Sequence, residues 1–165
     1  APLHDIGKVG IPDHILLKPG KLTPDEWVIM QSHAAIGGDT IDHAITRSLA
    51  QTQRHDDTTS DALRFLEVAK VIATSHHEKW DGSGYPQGLA GEEIPLAARL
   101  MALSDVFDAL TTERVYKPAW PLEKARDLIL EQQGSHFDPG VVAAFERLLP
   151  AFTDIRDRLS DPAAA

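Results

Sequence analysis

Histidine and aspartate recur along the sequence in a pattern suited to holding cations: His4-Asp5, His33, His76-His77 and Asp105. The chain has no cysteine, which excludes disulfides, thiolate catalysis, iron–sulfur clusters and zinc ribbons, so any metal must sit on nitrogen and oxygen. A set this rich in imidazole suits Mn, Fe, Ni or Zn better than Mg. Adjacent residues of a helix point about 100° apart. His4 and Asp5 therefore do not readily chelate one ion, but they can serve two ions lying side by side, and the same holds for His76 and His77. Such pairing favours a multinuclear site, in which a carboxylate bridges two metals ~3.5–4 Å apart and a water between them is activated. Taken singly, each residue has a plainer reading. A lone inward histidine is commonly a hydrogen-bonded core residue, and an aspartate inside a helix is commonly solvated or ion-paired. Two adjacent histidines at the end of a buried stripe are harder to explain by packing, because burying both without strong partners is costly. The joint occurrence points to a metal centre.

Helices must position these residues. Gly7, Gly10 and Pro12 stop the helix tail that carries His4 and Asp5, and Lys18-Pro19-Gly20-Lys21 continues as loop. Thr23-Pro24-Asp25-Glu26 forms a capping box with proline at the first helical position, and Trp27, Met30 and Ala34 follow at helical spacing. Gly37-Gly38 is expected to bend this helix, with Ile41, Ala44, Ile45 and Leu49 beyond the bend. The polar stretch from Gln51 to Ser60 reads as loop. From Asp61, the positions Leu63, Leu66, Ala69, Ile72 and Ala73 form one stripe, and extending it by three and four residues lands on His76 and His77, which should face inward. Trp80 to Glu93 is glycine-rich and reads as a long ordered loop, a class that is usually functional.

Pro95 opens the next helix, with Leu96, Leu100, Leu103, Phe107 and Leu110 as its core face and Met101, Ser104, Asp105 and Asp108 as a neighbouring stripe. Two further helices follow. One runs from about Pro121 to Gln133 and ends at Gly134; the other starts at Asp138-Pro139 with Val141, Val142, Phe145 and Leu148 inward, continued by Phe152, Ile155 and Leu159. No stretch alternates as a strand does, so the fold class is all-α. Trp27 and Trp120, at helix starts, are expected to be packing or staple residues, and Trp80 to fix the loop. His14, His43, His55 and His136 lack a spacing partner and read as surface or structural.

The chain has 165 residues, 42% of them hydrophobic and 25% charged, the proportions of one ordinary globular domain. A domain of this size buries roughly 70% of the surface of its unfolded chain, so no metal is needed merely to hold a core together. The net charge of −9 repels polymeric nucleic acid and anionic membranes. No apolar run approaches the ~20 residues of a membrane span, and no signal segment precedes the domain, so the cytoplasm is the expected location. The sequence begins at Ala1 and reaches its first motif at once, which is expected of a piece of a longer protein.

Three segments carry a resemblance. His4-Asp5-Ile6-Gly7-Lys8, then His76-His77-Glu78-Lys79-Trp80-Asp81-Gly82-Ser83-Gly84-Tyr85-Pro86, then Asp105-Val106-Phe107-Asp108-Ala109-Leu110 closely resemble the HD-GYP subgroup of the HD-domain metal-dependent phosphohydrolases. The match runs from His4 to about Val142, and Gly134-Ser135-His136-Phe137-Asp138-Pro139 follows in the expected order. The resemblance implies an HD-domain helical bundle with a long ordered GYP loop. It also implies hydrolysis of the bacterial second messenger cyclic di-GMP to linear pGpG, in some members on to GMP. Its implied metal ligands are His4, Asp5, His33, His76, His77 and Asp105, with Asp5 bridging two or three divalent ions, Fe or Mn ahead of Ni or Zn.

Lys8 would reach a phosphate oxygen and act with Asp5 in catalysis. Gly84 and Tyr85 would shape the guanine-side pocket, and Arg114 with Lys117 would hold the phosphodiester from the opposite side. Asp81 and Asp108 are open between supporting metal ligands from behind and capping a loop or helix; support is favoured. The subgroup commonly has Arg-Pro-Tyr where this chain has Arg114-Val115-Tyr116. It also takes at least one more ligand from helices upstream of the HD dipeptide. Residues 1–160 are accordingly expected to be the phosphohydrolase domain without those helices, with an incomplete metal shell and an uncovered apolar face, and residues 161–165 a disordered tail. Implied partners are cyclic di-GMP, an upstream receiver or sensory domain as in two-component response regulators, and GGDEF-type signalling proteins.

The competing readings are an HD phosphohydrolase acting on another nucleotide, because metal ligands fix the reaction and not the base, and a non-catalytic module that binds a dinucleotide or a signalling partner. A degenerate module should have lost ligands, whereas every family ligand that could lie within this segment is present.

Overall fold

The computed structural model describes residues 3–51, 57–113 and 118–159. Arg114, Lys117, His55 and the 161–165 tail lie outside the described residues, as does the side chain of Leu159. The described helices are α1 (Asp13–Leu16), α2 (Pro24–Gln31), α3 (His33–Gln51), α4 (Asp57–Ser75), α5 (Leu96–Thr111), α6 (Leu122–Glu131) and α7 (Pro139–Leu159), with short 3-10 helices over Ile6–Gly10 and Gly91–Glu93. Among the described residues there is no strand, only the isolated bridges Asp81–Ala90 and Gln133–Phe137. The fold is all-α.

Helix α2 starts as its sequence dictates. The Glu26 amide donates to the Thr23 hydroxyl at 3.3 Å, the Thr23 amide donates to the Glu26 carboxylate at 2.7 Å, and Pro24 takes a position where its missing N–H costs nothing. The break that follows falls at Ser32 and not at Gly37-Gly38. Both glycines lie buried inside α3, because what they supply is proximity: Gly37 lies against Gly7 and Ala73, and Gly38 against Thr74. Helices α3 and α4 pack antiparallel, with Lys70 Nζ on Asp42 Oδ1 at 2.7 Å further along. Following this register toward the start of α3 and the end of α4 brings His33 beside His76 and His77.

Ile41, Ile45, Ala69 and Ala73 make the core of this helix pair, and a second core joins Leu103 and Phe107 of α5 to Ile129 of α6 and to Phe137, Val141, Val142 and Phe145. Each large apolar side chain so buried contributes about 1.5–3 kcal/mol.

Several expectations are corrected. Helix α3 reaches Gln51 and α4 begins at Asp57, so Gln51 and the residues from Asp57 to Ser60, read as loop, are helical, while residues 52–56 lie outside the described residues. Leu96 and Leu100 of α5 and Leu148 and Ile155 of α7 are exposed and not inward, because the 3.6-residue period leaves the buried arc to Leu103, Phe107 and Leu110 on α5 and to Val142, Phe145 and Leu149 on α7. Trp27 does not pack into a core: it is 47% exposed. Phe65 and Val68 of α4 are exposed as well.

Candidate metal centre

The site forms where α3 begins, α4 ends and the His4-Asp5 turn crosses them. That turn lies close because Gly7, the second residue of the 3-10 helix, has no side chain: a Cβ there would run into the His33 carbonyl and the Gly37 amide. His33 opens α3 and His76-His77 closes α4. One ligand atom from each of Asp5, His33, His76 and His77 lies within 4.8 Å of the others. Asp105, on α5, approaches from the other side, its Oδ1 3.5 Å from His4 Nε2.

Asp5 is the hub. Its Oδ1 is 3.5 Å from His33 Nε2 and 3.8 Å from His76 Nε2, while its Oδ2 is 3.4 Å from His4 Nε2. The two oxygens thus face two different groups of imidazoles. Lys8 Nζ also donates to Oδ2, at 2.6 Å. Burial would raise the Asp5 carboxyl, but the hydrogen bond and charge of Lys8 outweigh it and hold the group below its ordinary value.

The imidazoles are oriented from behind. His33 Nδ1 lies 2.6 Å from the Met30 carbonyl, and His76 Nδ1 lies 3.0 and 3.1 Å from the carbonyls of Ile72 and Ala73. Only a protonated Nδ1 can bond to a carbonyl, so Nε2 of each ring is left with a lone pair. Both Nε2 atoms are buried without a hydrogen-bond partner, an arrangement that costs about 1–3 kcal/mol per atom unless something electrophilic occupies the space before them. Burial also holds His76 below its ordinary value and drives His77 down to about 3, which favours the uncharged imidazole, with a single ring proton, in both. A nitrogen- and oxygen-rich donor set with buried orphan lone pairs fits divalent transition-metal ions.

The loop after His77 covers the site. The Glu78 side chain, only 2% exposed, accepts the Gln87 amide at 2.7 Å and the Leu89 amide at 3.1 Å. Further along, the amides of Trp80 and Asp81 donate to the carbonyls of His136 and Ser135 at 3.1 and 2.9 Å. The Arg99 guanidinium lies 5.7 Å from the Trp80 ring centroid and donates to Asp138 Oδ2 at 2.6 Å. Gly84 passes so close to the backbone of His77, Glu78 and Lys79 that a Cβ has no room. The Tyr85 ring then stacks on His77, centroids 4.8 Å apart. Burial, together with the charges of Asp5 and Asp105, pushes the Tyr85 hydroxyl up to about 12, so it stays protonated beside the carboxylates.

Other expected site residues lie further out. Asp81 is exposed, and its Oδ1 accepts the Ser83 amide at 2.9 Å within the loop. Asp108 is also exposed, and its Oδ1 accepts the Thr112 hydroxyl at 3.1 Å. Glu78 is the residue that sequence reasoning passed over. Its only sequence signal is a glycine-rich loop whose amides need acceptors. Glu78→Ala should strip two loop amides of a charged acceptor, a loss of about 1.5–3 kcal/mol per bond. The expected result is fast hydrogen exchange at Gln87 and Leu89 with the α5–α7 core still protected; unchanged exchange at both would show that the carboxylate does not hold the loop.

Comparison with known proteins agrees with this geometry. The HD domain family profile matches residues 1–141. A cyclic di-GMP phosphodiesterase of Vibrio cholerae serotype O1 is 53% identical over 99% of the chain, which covers 31% of that protein. A 3′3′-cGAMP-specific phosphodiesterase 2 of the same organism is 45% identical over 98% of the chain, which covers 28% of it. The chain thus spans about a third of the length of these curated relatives. Among solved structures, a cyclic GMP-AMP-specific phosphodiesterase of Vibrio cholerae superposes with a TM-score of 0.55 at 24% identity, over 98% of the chain and 42% of that protein, which is a likeness of fold. With this match and the site it contains, the chain belongs to the HD domain family.

Proposed function

We propose that the chain is the catalytic unit of a metal-dependent cyclic-dinucleotide phosphodiesterase, with cyclic di-GMP as substrate and pGpG as first product. The observation that carries this reading is the pair of buried, partnerless nitrogens, His33 Nε2 and His76 Nε2, turned toward one oxygen of Asp5. Phosphohydrolases of the HD domain family depend on metal ions, and His4, Asp5, His33, His76, His77 and Asp105 would hold two or three of them, Fe or Mn ahead of Ni or Zn. When bound, such ions supply positive charge to a phosphodiester and acidify water. In the hydrolysis a water oxygen bonds to phosphorus and the bond to the 3′ oxygen breaks. In this chain Asp5 presents one oxygen to each group of imidazoles, Lys8 brings a cation within reach of a phosphate oxygen, and Tyr85 with Gly84 walls the base side. Arg114 and Lys117 would take the far phosphate, and Asp81 and Asp108 would support the loop and α5.

A cytoplasmic location, an upstream receiver or sensory domain and GGDEF-type partners complete the proposal; no helix among the described residues is long and apolar enough to cross a membrane. The 45% identity to a 3′3′-cGAMP-specific enzyme favours that cyclic dinucleotide as the second reading. Anaerobic reconstitution of the full-length protein with Fe(II) or Mn(II), followed by elemental analysis, should find two or three ions per chain. Finding no bound metal would refute the centre.

A further inference from the structure

Helix α2 buries none of its residues, yet it is held at both ends, at one of them by the metal centre. At its start, Lys18 Nζ donates to both oxygens of Glu26, at 2.9 and 2.6 Å. At its end, the Met30 carbonyl is the group that orients His33. Trp27 lies between these anchors. Its indole is 47% exposed, so core packing does not account for it. It meets Tyr85 edge-on, with centroids 6.3 Å apart and planes at 82°, and one face of Tyr85 is already covered by His77. The two rings therefore make a corner, which Tyr85 joins to the His/Asp cluster through His77. A planar ring lying flat on Trp27 would have its edge toward Tyr85, an orientation in which aromatic rings attract.

We propose that Trp27 is a specificity-determining residue, the outer wall of this corner, on which a purine base of the cyclic dinucleotide stacks while its phosphodiester lies over the Asp5/His33/His76/His77 cluster. The proposal rests on the cyclic-dinucleotide reading above. The occupant follows from chemistry. A base is held one sugar away from its phosphate, presents a flat face, and carries no charge that an acidic protein would repel. Stacking on an aromatic side chain tolerates any purine, so Trp27 would set affinity for dinucleotides as a class and leave the choice between guanine and adenine to groups at the base edge.

The test compares wild-type, Trp27→Ala and Trp27→Phe full-length proteins loaded with Mn(II), assayed on cyclic di-GMP and on bis(p-nitrophenyl) phosphate. Cyclic di-GMP quenching of tryptophan emission is measured in the metal-free proteins. Trp27→Ala should raise KM for cyclic di-GMP about ten- to a hundredfold, at least tenfold more than it alters the rate on the small diester, and Trp27→Phe should recover most of the loss. Quenching should be present in wild type and lost in Trp27→Phe, which retains Trp80 and Trp120. Equal losses on both substrates, or quenching that persists without Trp27, would overturn the proposal while leaving the enzymatic reading standing. A wild type that cleaves the small diester and no cyclic dinucleotide would overturn the cyclic-dinucleotide reading itself, and this inference with it.

Discussion

Replacing His76 by alanine is expected to reduce cyclic di-GMP turnover by more than ~100-fold while leaving the helical circular-dichroism spectrum intact. The bound follows from metal-site precedent: losing a group that merely orients a ligand costs about 10–100-fold in affinity or activity, and His76 would be a ligand itself. The fold should survive because His76 lies just past α4, its Nδ1 bonds run back to the carbonyls of Ile72 and Ala73, and its Nε2 has no partner to lose. A second readout separates ligand loss from general damage. A metal at a hundred times its dissociation constant stabilises the folded state by about 2.7 kcal/mol, so added Mn(II) should raise the melting temperature of wild type and fail to do so in the variant. Asp5→Ala should behave alike, since both halves of the cluster converge on its carboxylate. Near wild-type rates in either variant would mean that the assigned centre is wrong.

Gly7→Ala is expected to have the largest effect on stability. The new Cβ would meet the His33 carbonyl and the Gly37 amide, and neither can rotate aside as a side chain would. The 3-10 helix must lift off α3, and Asp5 moves with it. Overpacking of this kind costs about 1–3 kcal/mol and occasionally more, and the backbone collision puts Gly7 at the upper end. At 2–4 °C per kcal/mol for a chain of this size, the melting temperature should fall by roughly 10 °C, and metal affinity should fall with it. Gly10→Ala is the control: its Cβ would meet only the Ile36 side chain, at 3.1 Å, which can shift, so a loss below about 1 kcal/mol is expected. Equal melting temperatures for the two variants would show that the turn is not packed as described.

Features encoded in a few neighbouring residues were legible in the sequence. The Thr23/Glu26 capping box, the helix opened by Pro95 and the inward direction of His76-His77 are all local, and all are observed. What could not be read was set by distant chain. Gly37 and Gly38 look like helix breakers by propensity, but the closeness of Gly7, Ala73 and Thr74 decides their role. Leu96 and Leu100 extend the apolar stripe of α5 but stay exposed among the described residues, and period alone does not say where burial stops. Glu78 looks like any acidic residue until its neighbours are known to be loop amides without other acceptors. The donors of the cluster were legible as residue types; that Asp5 turns one oxygen to His33 and His76 and the other to His4 depends on the crossing of the turn over α3, which no local pattern contains.

The measurement that tests the central claim most directly is product analysis. The full-length protein, loaded anaerobically with Fe(II) or Mn(II), is incubated with cyclic di-GMP and, separately, with 3′3′-cGAMP, and the products are resolved by anion-exchange chromatography. The proposed function predicts metal-dependent conversion of cyclic di-GMP to pGpG, abolished by His76→Ala. Cyclic di-GMP and 3′3′-cGAMP both left intact by protein that retains its metal and cleaves bis(p-nitrophenyl) phosphate would contradict it.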